Sequence, residues 1–280
     1  MTFNKISENI LAEIKAIIGD ADIITGHAEL EKYSHDETED LRFYPEVVTR
    51  PKSPEEVSAL MKLCNENLIP VTPRGAGTGL SGGALPVLGG LLISMERFNK
   101  VLQIDEQNLQ ATVEPGVITE VFMDLVAQKG LLYPVDPASK GSCFIGGNVS
   151  HGSGGPRVVK YGTIREYILN LEVVLPSGEI IWTGANTLKY ASGYNLTQLM
   201  IGSEGTLGII TKIVVKLIPR PTLDALLLAS FSSNEAGCAA VSGAHSVLPA
   251  IAGTVKLDDV VLHVVSATPC MLFSRTVGAL

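Results

Sequence analysis

Eleven residues, Pro73 to Gly83, read PRGAGTGLSGG, and five of them are glycine: Gly75, Gly77, Gly79, Gly82 and Gly83. Glycine takes positive φ without steric cost and lets main-chain N–H groups come close to a ligand. Successive N–H groups pointing inward form a concave nest suited to a phosphate or pyrophosphate. Each charge-assisted bond of that kind contributes about 1.5–3 kcal/mol, so a few of them can anchor a dinucleotide. The plainer alternative is a tight turn that binds nothing. A Walker loop ends in Gly-Lys-Ser/Thr, and Gly82-Gly83-Ala84 supplies none of it. A Rossmann turn needs GxGxxG opening a helix, and Gly77, Gly79 and Gly82 have that spacing. The next residues, Ala84-Leu85-Pro86-Val87-Leu88-Gly89-Gly90, put a proline and a glycine pair where that helix would start. A phosphate loop outside the Rossmann type is the expectation.

Two more stretches have similar chemistry. Pro137 to Gly155, PASKGSCFIGGNVSHGSGG, mixes six glycines with Ser139, Ser142, Asn148 and Ser153. Small residues and hydroxyls suit a flat ring and a polar chain lying against backbone. Phe144 and Ile145 need burial, which argues against a free surface loop. Gly202-Ser203-Glu204-Gly205-Thr206-Leu207-Gly208 is the third stretch. His151 could act as a base, since imidazole titrates near neutral pH. A solvent-facing loop position is the plainer reading.

These stretches need elements to hold them. Leu68 to Thr72 reads as a short buried strand leading into the first. Leu91 to Ser94 reads as another strand, and Val47-Val48 as a third. Ile6, Ile10, Ile14, Ile17 and Ile18 fall on one helix face that Gly19 ends. His27 to Tyr44 is polar, and its acidic residues read as a solvated surface. Ser53-Pro54-Glu55-Glu56 is a capping box with proline at the first helical position. Val101 to Val113 reads as two strands about a turn near Asp105. Thr119 is placed as the cap of a helix carrying Val121, Phe122, Leu125 and Val126, with Gly130 as its stop. Tyr167 to Leu175, Pro176-Ser177-Gly178 and Glu179 to Trp182 form a hairpin. In the strand after Gly208, Ile213, Val215 and Leu217 face one way and Lys212 and Lys216 the other. Past Pro221, Leu226 to Phe231 reads as a strand, Ser233 as a helix start and Thr254 to Val265 as strand-like.

A chain of 280 residues can bury a sizeable core. Its net charge of −8, with no basic cluster, argues against nucleic acid or an anionic membrane as partner. Cys64, Cys143, Cys238 and Cys270 form no CxxC, so neither zinc nor a disulfide framework is implied, and no metal is expected. No apolar run reaches the roughly 20 residues of a membrane span. The first residues lack the apolar core of a signal peptide. A cytoplasmic protein is the expectation.

Taken together, the three glycine-rich stretches resemble the flavin-binding domain of the vanillyl alcohol oxidase type, nearest to the FAD-linked subunit of glycolate oxidase and FAD-linked D-lactate dehydrogenases. The similarity runs from about Pro45 to Pro221. It implies an α+β fold of two small subdomains with FAD between them. Residues 45–221 would form this domain, after a helical segment 1–44. Residues 222–280 would be the incomplete start of a cap domain, or a divergent tail. The resemblance assigns Arg74, Gly75, Ala76, Gly77, Thr78, Gly79, Leu80, Ser81 and Gly82 to the pyrophosphate. It lays Pro137, Ala138, Ser142, Gly146, Gly147 and Asn148 along the ribityl chain and ring. Ser153, Gly154, Gly155 and Tyr161 also match the pattern. Glu204, Gly205, Ile209 and Ile210 would approach the adenosine or the flavin.

Some relatives attach flavin through a His in the first loop. Between Gly75 and Gly79 this chain has only Ala76 and Thr78 besides glycine, so non-covalent FAD is expected. The implied activity is hydride transfer from the α-carbon of a 2-hydroxy acid, such as glycolate or D-lactate, to flavin N5. Electrons would leave to a quinone, an iron–sulfur subunit or another acceptor. No HHG-like cluster occurs, so no catalytic residue is assigned. The alternatives are a catalytically incomplete flavin-binding subunit or fragment needing a partner chain, and a flavin reductase-type relative acting on other substrates. Surface that a cap would cover should drive self-association or partner binding.

Overall fold

The computed structural model describes residues 3–222, 225–231, 233–240, 260–266 and 273–277. Helix α1 (Glu8–Ile18) begins where the Ser7 hydroxyl accepts from the amide of Ile10, and ends at Gly19 with φ of 81°. Strand β1 (Ile23–Ile24), the single turn α2 (His27–Leu30) and β2 (Val47–Thr49) follow. Helix α3 (Pro54–Glu66) is capped by Ser53, whose hydroxyl accepts from the amide of Glu56. The Glu56 carboxylate accepts from the amide of Lys52, which closes the expected capping box one residue early. Strands β3 (Val71–Arg74) and β4 (Leu91–Ser94) complete a sheet of order β1-β2-β4-β3. β2 and β3 both run parallel to β4, so their C-terminal ends share one edge.

The faces of this sheet explain its neighbours. Ile14 and Ile18 of α1 pack with Val57, Leu60 and Cys64 of α3 against Val47, Leu91 and Ile93. Alternation sends Val48 and Leu92 to the opposite face, where Leu30 and Tyr33 cover them.

A second sheet takes β5 (Val101–Asp105) and β6 (Gln110–Val113), whose turn is fixed by amides of Gln107 and Asn108 donating to the Asp105 carboxylate. Helix α4 (Thr119–Ala127), β7 (Leu131–Leu132), α5 (Ile145–His151) and the turn α6 (Val158–Tyr161) come next. Strands β8 (Ile168–Val174) and β9 (Ile180–Trp182), helix α7 (Leu196–Met200) and β10 (Ile209–Lys216) finish this half. The sheet is antiparallel throughout, in order β5-β6-β10-β8-β9. Phe122, Val126, Ile145 and Val149 of α4 and α5 fill its core against Leu171, Ile213 and Val215. Each such burial contributes about 1.5–3 kcal/mol. Val174 and Ile209 belong to the core of the first sheet, so the two halves meet where β8 ends and β10 begins.

β11 (Ile218–Pro219) pairs with β7. Beyond it, β12 (Ala225–Phe231) runs parallel to β13 (Val260–Ser266), and β14 (Phe273–Val277) returns antiparallel. The Ser233 hydroxyl accepts from the amide of Ala236 at the start of helical residues 234–240. Of the strand-like run Thr254 to Val265, residues 254–259 lie outside the described residues.

Five expectations need correction. The strand expected at Leu68 to Thr72 forms at Val71–Arg74, because Leu68 is exposed with φ of 53° at the exit of α3. The polar segment His27 to Tyr44 is not simply a solvated surface: Tyr33, Ser34 and Asp36 are buried beneath the first glycine loop. Thr119 is not a cap. It is the first helical residue after Ile118, and its buried hydroxyl serves Cys143 and Asn148. On that helix only Phe122 and Val126 of the four apolar positions face the core, while Val121 and Leu125 are exposed. The stretch Pro137 to Gly155 contains a helix, α5, that its glycines had masked. Among the described residues, no helix is long and apolar enough to cross a membrane.

Candidate functional site

The first glycine loop leaves the C-terminal end of β3. Its turn is held from below by the segment after α2: the Glu37 amide donates to the Gly79 carbonyl at 3.0 Å, and the Gly82 amide donates to the Thr38 hydroxyl at 2.8 Å. Among the described residues, the amides of residues 76–81 have no hydrogen-bond partner in the protein. Unpaired N–H groups are tolerated at a surface that meets water or a ligand.

The second wall is α5 and the turns before it. Its glycines have different reasons. A Cβ on Gly146 would fall on Pro115, so this residue is fixed by close helix-to-chain packing. A Cβ on Gly147 would meet nothing and would project into open space. Gly75 and Gly147 face each other, with a Cβ on the first only 3.6 Å from the Cα of the second. The third wall is the turn before β10. Glu204 holds a left-handed backbone, φ 53°, with its amide donating to the Ser150 carbonyl. For a residue with a Cβ this conformation costs roughly 1–3 kcal/mol and persists only where its surroundings impose it.

The three walls enclose a cavity of about 530 Å³, within the range of small-molecule sites. It is lined by residues 73–81, by Pro137, Ala138, Phe144, Gly146, Gly147 and Asn148, and by Glu204, Gly205, Ile209 and Ile210, among others. Four expected site residues do not line it. Gly82 is turned to Thr38, and Ser142 is exposed with its hydroxyl on the Ser139 carbonyl. Gly155 packs on the Asp136 backbone, and the Tyr161 carbonyl accepts from the Tyr167 hydroxyl. Two others reach the cavity but direct their polar groups elsewhere. The Asn148 amide donates to Thr119 at 2.7 Å, and the Arg74 guanidinium is buried on main-chain carbonyls. Glu37, Met95, Pro115 and Cys143 line the cavity without having been expected there. Pro115-Gly116 is a readable turn signal and Cys143 sits inside the second glycine-rich stretch; Glu37 and Met95 carry no signal.

His151, at the end of α5, donates its Nδ1–H to the Glu204 carboxylate at 2.7 Å. This contact spans two walls and is roughly half exposed, so it is worth little to folding. Behind the loop, burial and then the nearby Glu96 push the Tyr33 phenol up to about 12, so it stays a neutral donor to Glu96. Among the described residues, no group of three His, Cys, Asp or Glu could hold a metal ion.

The free amides, the missing side chain at Gly147 and the glycine-rich lining fit a ligand carrying phosphates. A family profile described as FAD binding domain matches residues 45–184, half of the chain. The chain belongs to this family. FAD is therefore its cofactor, and its α+β fold is that of the vanillyl alcohol oxidase type of flavoprotein. The chain is 42% identical over 247 residues to the glycolate oxidase subunit GlcD of Bacillus subtilis (strain 168), covering 88% of this chain and 53% of that protein. It is 43% identical over 237 residues to the D-lactate dehydrogenase of Anaerostipes hadrus, covering 83% and 49% respectively. The solved structure of p-cresol methylhydroxylase with substrate bound has the same fold, with a TM-score of 0.73 at 23% identity over 87% of this chain and 49% of that one. The chain spans about half the length of the curated relatives it matches.

Proposed function

We propose that this chain carries the FAD-holding half of an oxidoreductase acting on a 2-hydroxy acid such as glycolate or D-lactate. The observation that carries this reading is the cavity walled by three glycine-rich turns with open amides, in a chain whose relatives are named glycolate oxidase subunit and D-lactate dehydrogenase. When bound, FAD supplies two-electron acceptance at its ring. The chain's own residues bind and orient. The amides of residues 76–81 hold the diphosphate, Gly147 and Gly75 let the cofactor lie against backbone, and Phe144 and Ile210 exclude water. No lining residue bonds covalently to the flavin in this reading, so FAD is released by acid precipitation. Yellow colour remaining on the precipitate would contradict that.

A second reading is a flavin-binding portion without turnover of its own. It is favoured by the lining, in which, among the described residues, His151 is the single histidine and is already paired with Glu204. Anaerobic addition of glycolate or D-lactate separates the two. Bleaching of the flavin spectrum supports the first, and bound FAD that stays yellow supports the second. A partner subunit or self-association belongs to the same proposal, and exposed Leu80, Leu188, Tyr194 and Leu199 support it. A monodisperse monomer in sizing would count against it.

A further inference from the structure

Arg74 lines the site, yet the residue as a whole is only 6% exposed. Its Nη2 donates to the carbonyls of His35 at 2.7 Å and Lys32 at 3.3 Å. Its Nη1 reaches the carbonyls of Ala84 at 3.4 Å and Tyr33 at 3.5 Å. Three of these four carbonyls belong to one segment, 32–35, and the fourth lies just past the loop. Gly77, with φ of 75°, bends the loop directly over the guanidinium, and a Cβ there would overlap it. The same segment fixes the loop twice more, through the Glu37 amide on Gly79 and the Thr38 hydroxyl on Gly82. Just before them in the chain, the buried Asp36 carboxylate, whose charge favours the Arg74 cation, turns an oxygen without a hydrogen-bond partner toward Gly79.

We infer that Arg74 is a positioning residue and not a ligand of the diphosphate. It buckles the segment 32–38 beneath the glycine loop, and so holds the amides of residues 76–81 open before the cofactor arrives. This rests on the FAD reading above. The chemistry favours arginine for the task. A planar fork can serve several carbonyls at once, whereas a lysine ammonium is a point charge with three donors.

The test uses the full chain with Arg74→Lys and Thr38→Val. FAD affinity is measured by titration of the apoprotein at several salt concentrations. Amide hydrogen exchange of residues 31–38 and 75–83 is followed without FAD. Arg74→Lys is expected to weaken FAD binding about 10- to 100-fold, the loss of one or two charge-assisted bonds, with an unchanged salt dependence. Exchange should quicken in those two segments and not in β8 or β10. Thr38→Val is expected to weaken binding about fivefold. Affinity equal to wild type in both variants overturns the inference. So does a loss in Arg74→Lys with unchanged exchange in residues 31–38 and 75–83, the signature of a direct contact to the cofactor and not of a loop held in place. If Arg74→Lys does not fold, unaltered affinity in Thr38→Val is decisive against the buckle. Wild-type protein that takes up no FAD would count against the cofactor reading, while the exchange data would still judge the buckle.

Discussion

Two adjacent glycines on α5 show how differently one residue type can be used. Gly146 is small because Pro115 occupies the space its side chain would need, and Gly147 is small because the cavity does. Alanine at 146 is expected to destabilise the protein by about 1–3 kcal/mol through overpacking. Alanine at 147 should raise apoprotein stability by roughly 0.5–1 kcal/mol, the helix advantage of alanine over glycine, while weakening FAD binding at least about tenfold. Thermal melts of the two apoproteins, with FAD titrations beside them, check both statements. Equal FAD affinity in Gly147→Ala and wild type would remove this face from the cofactor site. His151 is a milder position. Its half-exposed pair with Glu204 predicts that His151→Ala changes stability by less than about 1 kcal/mol, as read by denaturant midpoint.

At the scale of elements, legibility followed whether the decisive partner was local. The capping box at Ser53 could be read because donor and acceptor are three residues apart, and α3 begins there. The hairpin of β8 and β9 was readable from Pro176-Ser177-Gly178, with Gly178 at φ 82° as the turn requires. Helix α5 was hidden, since two glycines lower its intrinsic propensity and only its packing of Ile145 and Val149 restores it. The burial of Tyr33 and Asp36 was equally hidden, because what buries them is a sheet and an arginine about forty residues away. For the same reason the glycine loops named the cavity, but not which of their side chains face it. Arg74 and Asn148 sit in the right turns and direct their donors into the protein.

Across the whole molecule, the N-terminal segment is tied to the first sheet by Asp22. This carboxylate is 2% exposed and meets Lys52 at 2.6 Å, with Arg97 and Arg50 beside it. Burial alone would raise its pKa. The hydrogen bond from Lys52 and the charges of Arg97, Lys52 and Arg50 outweigh that and leave it below the usual carboxylate range. A group depressed in the folded state stabilises above its unfolded pKa, about 3.9, and loses that stabilisation as pH falls through the folded value. Melting temperature is therefore expected to fall as pH drops below about 4, and Asp22→Asn should start lower and flatten that limb. A second global expectation concerns the cofactor. FAD at about 100 times its dissociation constant should stabilise the chain by about 2.7 kcal/mol, seen as a rise in melting temperature.

The cysteines give this architecture a use of another kind. Of the three described, Cys64 and Cys143 are buried and Cys238 is exposed. Burial pushes the Cys64 thiol up to about 12, which leaves it unreactive in the folded chain. With Cys270 replaced by serine, a maleimide dye should mark Cys238 at once and Cys143 only when the wall of the cavity swings aside. The rate at which dye reaches that inner sulfur is then a stopwatch for the opening of the cleft, and cofactor seated in the cleft should slow its hand.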